Sequence, residues 1–324
     1  MPVDGFSDPR LELLRQMDEE LAGLERRVVE ATEPPSLEDL IQAVCNEASN
    51  PEPWVPTGLG PLDHLLDGGV RPSEVCVVAA RPGVGKSAFA LQVILHAARE
   101  GIGVALWSLE MSPKAWVRRA LCTLSGVPSR TLRRGETMTQ DEATRFTRAV
   151  VHLRKLNEHI RFVEGASDPD SFYTQAGVET ELHGCRLLVV DYLQLMQPPE
   201  GKASRENEVA ETSRRVKRTA LRFNVAVLLL AQVNRKADDR PPQLSDLRES
   251  GAVEQDADEV FFLHRERDPE SHVLTDLGLG VLAKNRDGEM GSFPLRYEGA
   301  RYRFLPVEQE ERFNPLPQYP RPAA

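Results

Sequence analysis

The stretch EVCVVAARPGVGKSAFALQ, residues 74–92, restricts the fold of this chain more than any other feature. An unbroken apolar run ends in a glycine-containing turn, and a helical pattern begins at Ser87. A strand this apolar is one buried on both faces, which points to a parallel sheet. Gly83 and Gly85 let the backbone turn tightly, so that successive N–H groups face one point, and the following helix N-terminus adds its positive dipole end. Such a turn holds phosphate. The nucleotide cradle then comprises Arg81, Pro82, Gly83, Val84, Gly85, Lys86, Ser87 and Ala88. Lys86 would reach the β- and γ-phosphates of ATP, and the Ser87 hydroxyl would sit on Mg²⁺. The first glycine of the G-x-x-x-x-G-K-[ST] pattern is Ala80 here, so that residue must adopt an ordinary φ. The competing reading is a glycine-rich strand–helix turn with an incidental lysine.

The rest of the chain repeats the alternation. GVALWSLE is followed by SPKAWVRRALCTLSG, CRLLVVDYLQLM by ENEVAETSRRVKRTALRF, and then comes VAVLLLAQ. Apolar strands separated by amphipathic helices predict an α/β fold, a mostly parallel sheet flanked by helices. After DEVFFLHRE the pattern changes, and Asp287-Gly288 and Glu298-Gly299 punctuate alternating runs, which predicts antiparallel hairpins at one edge. Short helices precede this domain. Residues 9–31 carry apolar residues at heptad-like spacing, and Ser36 with Asp39 reads as a capping box before Leu37, Leu40, Ile41 and Val44. The expected organisation is an N-terminal helical extension over 1–50, the main domain over 51–308, and a proline-rich disordered tail over 309–324.

Further polar residues sit where strands end. Asp191 closes RLLVV, at the carboxyl edge where open α/β sheets bind ligands, and would hold Mg²⁺ with Ser87. Glu110 closes VALWSL at the same edge, where it would orient or deprotonate an attacking water. A first-turn acid for the helix at Ser112-Pro113 is the alternative. Gln232 ends another strand, as a γ-phosphate sensor or as a plain strand-end polar residue.

Seven segments together carry a resemblance: TGLGPLDHLLDGGVRPSE, ARPGVGKSAFALQ, WSLEMSPKAWVRRAL, VVDYLQLM, LLLAQVNR, SDLRESGAVEQDADEVFFLHRE and AKNRDGEMGSFPLRYEGARYRF. In order and spacing they resemble the motor domain of DnaB-type hexameric replicative helicases, from about Thr57 to Phe304. The resemblance implies a RecA-like P-loop NTPase core, ATP and Mg²⁺ as cofactors, a homohexameric ring, and translocation on single-stranded DNA. It implies that Glu110 is the catalytic glutamate and that Gln232 links γ-phosphate state to the DNA loops. It also implies that Lys284 and Arg286 reach into the neighbouring subunit's ATP site, where the residues alone suggest two solvated charges beside a turn. Arg248, Glu249 and Gly251 are implied to lie against the DNA backbone, within a loop over 234–251, with a second loop over 197–207. A helicase loader is an implied partner. About fifty residues precede the motor region, where the family carries a larger helical collar, so primase contact through a collar is not expected.

The formal net charge of −10 excludes a generally basic nucleic-acid coat but allows a locally basic pore. The basic stripe Arg214, Arg215, Lys217, Arg218 and Arg222 reads as a solvated helix face. Four widely separated cysteines without metal-ligand spacing read as reduced thiols of a cytoplasmic protein, and no apolar run is long enough for a membrane span; the resemblance implies that the protein is bacterial or phage-encoded. Two alternatives stand beside a DNA helicase: a RecA-family ATPase that does not unwind, and an accessory ring subunit.

Overall fold

The computed structural model describes residues 36–49, 54–165, 168–191, 205–234, 240–268 and 270–307. The predicted helix over 9–31, the proline-rich tail and most of the 197–207 loop lie outside the described residues. The chain divides into two compact units, Met1–Pro53 and Trp54–Ala324. In the first, helix α1 (Leu37–Ser49) starts at the capping box read from the sequence. Ser36 Oγ accepts the Asp39 N–H at 3.1 Å, and Asp39 Oδ2 accepts the Ser36 N–H at 2.9 Å. Leu37, Leu40, Ile41 and Val44 are all exposed.

The second unit is built on one nine-stranded sheet, in the order β3-β2-β4-β5-β1-β6-β7-β8-β9. Strands β1 (Val75–Ala80), β2 (Gly103–Ser108), β3 (Ile160–Val163), β4 (Cys185–Asp191), β5 (Ala226–Gln232) and β6 (Glu259–Arg267) run parallel. Strands β7 (Leu274–Asn285), β8 (Gly291–Glu298) and β9 (Arg303–Pro306) extend the sheet in antiparallel fashion. The turns at Asp287-Gly288 and Glu298-Gly299 join them, as the alternating pattern predicts.

The period-2 geometry of a strand divides the core in two. Cys76, Val78 and Ala80 of β1 face one side, with Leu228 and Leu230 of β5 and Phe261 and Leu263 of β6. That layer packs on helix α3 (Lys86–Arg99), which follows α2 (Gly60–Leu65), and on α4 (Pro113–Ser125). Val75, Val77 and Ala79 face the other side, against α7 (Pro169–Glu181), α8 (Arg205–Phe223) and α9 (Gly251–Asp256). Helices α5 (Ser129–Arg134) and α6 (Gln140–Lys155) fill the span between α4 and β3. Because both faces are covered, every residue of β1 is buried, which explains its unbroken apolar run.

The basic stripe on α8 departs from its expected role. Lys217 Nζ donates to the Ser73 carbonyl at 3.0 Å and to Asp258 Oδ2 at 2.6 Å, with its side chain only 18% exposed. Arg215 pairs with Asp170 and lies over the Tyr173 ring at 4.9 Å. Arg214, Arg218 and Arg222 remain solvated.

Candidate nucleotide site

The loop after β1 bends through Gly83 at φ 81° and Gly85 at φ 126°, conformations that a Cβ makes costly. Ala80 does not take a positive φ, as its place in the pattern requires. The Val84 N–H closes back on the Arg81 carbonyl at 3.2 Å, and the Gly85 carbonyl accepts the Ala88 and Phe89 N–H groups, opening α3. The N–H groups that open a helix lack carbonyl partners in a preceding turn, which suits this end of α3 to a phosphate oxygen.

Behind the loop lies an arginine that no motif marks. Arg265, from β6, is buried, and its Nη1 donates to the Gly83 and Val84 carbonyls at 3.4 and 3.3 Å. Its Nη2 donates to the Thr275 carbonyl at 2.7 Å, and its guanidinium lies 4.4 Å from the Tyr297 ring centre. In a trans peptide the C=O and the following N–H point oppositely. Holding the Val84 carbonyl therefore turns the Gly85 N–H away from Arg265. The available signal was the first charge to follow the apolar VFFL run of β6.

Lys86 and Ser87 meet Asp191 across the carboxyl edge of the sheet. Ser87 Oγ donates to Asp191 Oδ2 at 2.8 Å, and Lys86 Nζ lies 3.9 Å from Asp191 Oδ1. Asp191 is fully buried, and its Oδ1 accepts no hydrogen bond among the described residues. Burial raises the Asp191 pKa, opposed by Lys86 and the Ser87 hydroxyl. Burial lowers that of Lys86, opposed by the charges of Asp191 and Glu110. A buried carboxylate oxygen beside a hydroxyl is a hard, oxygen-only donor set that fits Mg²⁺, and a glycine cradle next to a lysine fits a phosphate chain.

Glu110 is carried by a tied loop. Ser108, the last residue of β2, is in register with Asp191 of β4. Its hydroxyl donates to the Met111 carbonyl at 2.7 Å and accepts the Met111 N–H at 3.2 Å and Trp116 Nε1–H at 2.7 Å. These bonds hold the 108–111 turn, leaving Glu110 exposed at the edge it shares with Asp191. Helix α4 begins beyond it, with Ser112 as N-cap and Pro113 in the first turn. Arg119 of α4 carries no sequence signal either; its charge favours the ionised form of Asp191. Gln232 ends β5 in register with Ala80, at the start of the cradle.

Lys284 and Arg286 are not brought to this site. Asn285 pairs with Glu259, which pairs with Cys76, so the end of β7 lies at the amino edge of the parallel strands. At ~3.3 Å per residue, the four strand steps from Cys76 to Ala80 already separate the two levels by ~13 Å. Lys284 Nζ donates to the Glu254 and Ala257 carbonyls at 2.7 and 2.6 Å. Arg286 Nη1 donates to Asp258 Oδ1 at 3.2 Å. Gly251 opens α9, whereas the side chains of Arg248 and Glu249 lie outside the described residues.

A parallel sheet order with β1 between β5 and β6, a phosphate-binding turn, and a serine–aspartate pair at the carboxyl edge define a P-loop NTPase with a RecA-like core. Residues 54–306 match the DnaB-like helicase C terminal domain, and the chain belongs to that family. Among its relatives, the replicative DNA helicase DnaB of Geobacillus stearothermophilus is 34% identical over 264 residues, 79% of this chain and 57% of the relative. The replicative DNA helicase DnaC of Bacillus subtilis (strain 168) is 33% identical, with the same coverage. The chain thus matches just over half the length of these relatives. A solved structure of an isolated ATPase domain superposes with a TM-score of 0.76 at 29% identity, covering 85% of this chain and all of that one. A DnaB-like replicative helicase, described with its interactions with primase, superposes at 0.73 and 26% identity, covering 90% of this chain and 76% of that one.

Proposed function

We propose that the chain is the motor of an ATP-dependent DNA helicase that works as a hexameric ring, with ATP hydrolysed where one copy meets the next. The observation that carries this reading is the convergence of Lys86, Ser87 and Asp191 at the carboxyl edge in a member of the DnaB-like family. The loop from Arg81 to Ala88 cradles the phosphates with backbone N–H groups such as that of Gly85, and Lys86 offsets their charge. Ser87 and Asp191 hold Mg²⁺. Glu110 orients and deprotonates the attacking water, and ATP supplies the phosphoanhydride bond that is cut.

Gln232, at the end of β5, passes the phosphate state towards the segment that follows it. Lys284 and Arg286 complete the site of the adjacent copy, a role that their place at the opposite sheet edge favours over action in their own subunit. Arg248, Glu249 and Gly251 hold the backbone of single-stranded DNA without reading bases, as a translocating motor requires. No described helix is long and apolar enough to cross a membrane, and the proposed site of action is DNA in the bacterial cytoplasm.

ATP turnover with and without single-stranded DNA tests the reading, with Lys86→Ala as background. DNA-stimulated turnover, abolished by Lys86→Ala, is the expected result, followed by unwinding of forked DNA. Turnover that DNA leaves unchanged would refute the motor assignment.

A further inference from the structure

The amino edge of the parallel strands carries a charged cluster that the phosphate site does not use. At its centre is Asp258, just before β6, with its side chain 4% exposed. Asp258 Oδ2 accepts the Val75 N–H at 2.8 Å and Lys217 Nζ at 2.6 Å, and Oδ1 accepts Arg286 Nη1 at 3.2 Å. The backbone joins the same parts: the Asp258 N–H donates to the Val75 carbonyl at 3.0 Å, and the Arg286 N–H to the Asp258 carbonyl at 3.1 Å. Lys217 is itself fixed by the Ser73 carbonyl, and Lys284 ties the end of β7 to the last turn of α9.

Asp258 is thus an immobile acceptor, whereas Arg286 keeps 59% of its side chain exposed. An ion pair with so exposed an arginine adds little stability. What the bond does supply is direction. An arginine side chain has many rotamers, and a fixed acceptor for Nη1 selects those that keep the guanidinium beside Asp258 at the amino edge of the sheet, where most of the side chain stays exposed.

We propose that Asp258 is a positioning residue for hydrolysis in the neighbouring copy, holding the Arg286 guanidinium at the subunit surface in the orientation from which it reaches the next ATP site. The inference rests on the reading in which Arg286 acts between subunits. Its chemistry is charge stabilisation at a transferring phosphoryl group, where small misplacements are costly.

Mixed rings separate this role from a structural one. Asp258→Asn keeps the shape and one acceptor oxygen, and should lower kcat for ATP roughly 10- to 100-fold while KM changes less than about twofold. Co-expressed with Lys86→Ala, it should regain turnover, because an intact cradle from the Asp258→Asn copy then meets a well-aimed Arg286 from the Lys86→Ala copy. A loss of activity through general misfolding cannot be repaired in this way. The control mixture is Arg286→Ala with Lys86→Ala. If that mixture stays inactive, action between subunits is wrong and the proposed function fails at that point. If it recovers while the Asp258→Asn mixture does not, Asp258 acts only within its own subunit and the proposal is overturned. Unchanged kcat in Asp258→Asn overturns it directly. Asp258→Ser, which retains an acceptor for the Val75 N–H, enters the same mixtures if the asparagine variant proves too unstable to purify.

Discussion

Substituting alanine at Gly85 should damage the cradle by two separable routes, and Gly83 provides the internal control. Both glycines have positive φ, 81° and 126°, so alanine at either position carries backbone strain of ~1–3 kcal/mol. Their surroundings differ. A Cβ on Gly83 would meet only Leu274 Cδ1, at 3.8 Å, an ordinary contact. A Cβ on Gly85 would lie 2.8 Å from Phe304 Cζ and 3.2 Å from Tyr297 Cε2. Phe304 is fully buried and packs on the Tyr297 ring at 4.7 Å, with Arg265 over Tyr297 in turn, so the ring has nowhere to retreat.

Overpacking of this kind costs ~1–3 kcal/mol beyond the strain. For a unit of this size each kcal/mol lowers Tm by roughly 2–4 °C. Gly85→Ala should therefore melt roughly 2–12 °C below Gly83→Ala, measured by circular dichroism. Adding Phe304→Leu should return part of that difference, because the smaller side chain opens space under residue 85. Equal melting temperatures for the two alanine variants would refute the reasoning. So would a coupling between Gly85→Ala and Phe304→Leu below about 0.5 kcal/mol in a double-mutant cycle.

Other outcomes follow from the same structure. Burial and a hydrogen bond to Glu74 raise the Glu259 carboxyl from 4.5 to about 9, so the folded state holds a proton that the unfolded chain releases. The stability this contributes is complete below the ordinary carboxylate pKa and is lost as pH rises through the folded value. Glu259→Gln should accordingly show a flatter decline of Tm between about pH 6 and 9 than the parent, and parallel declines would contradict the assignment. Burial raises the thiols of Cys76, Cys122 and Cys185, the last to about 12, whereas Cys45 is exposed. Iodoacetamide on the native protein should label Cys45 alone, as read by peptide mass spectrometry, and labelling of Cys185 at a comparable rate would contradict its burial. Trp116→Phe deletes the bond to Ser108 Oγ and should cost about 1 kcal/mol. It should also slow turnover several-fold by loosening the Glu110 turn, and a lowered Tm with unchanged turnover would show that Glu110 needs no such support.

Much of the nucleotide site was legible in the chain because its signals are local. Strands β1, β2, β4 and β5 announce themselves as apolar runs because helices cover both of their faces. The cradle needs glycine where φ is positive, and Asp191 and Glu110 are placed simply by being where such runs stop. The four-residue β3 has no such signature, since as an edge strand it is only half-buried, whereas α6 and α7 around it are marked by N-terminal caps, Thr139 with Glu142 and Asp168 before Pro169.

What the tertiary structure alone decided is which distant segments meet. Insertion of β1 between β5 and β6 puts Ser87 within 2.8 Å of Asp191, and brings Arg265 behind the loop that Gly83 and Gly85 shape. The antiparallel return of β7 carries Lys284 and Arg286 to the opposite edge from Lys86. Packing of α8 on one face of the sheet leaves Lys217 facing Asp258 rather than water. Period, turn chemistry and strand ends are properties of neighbouring residues and can be read in order along a chain. Partners for buried charges are chosen by packing between segments far apart in sequence, where desolvation makes an unpaired charge costly.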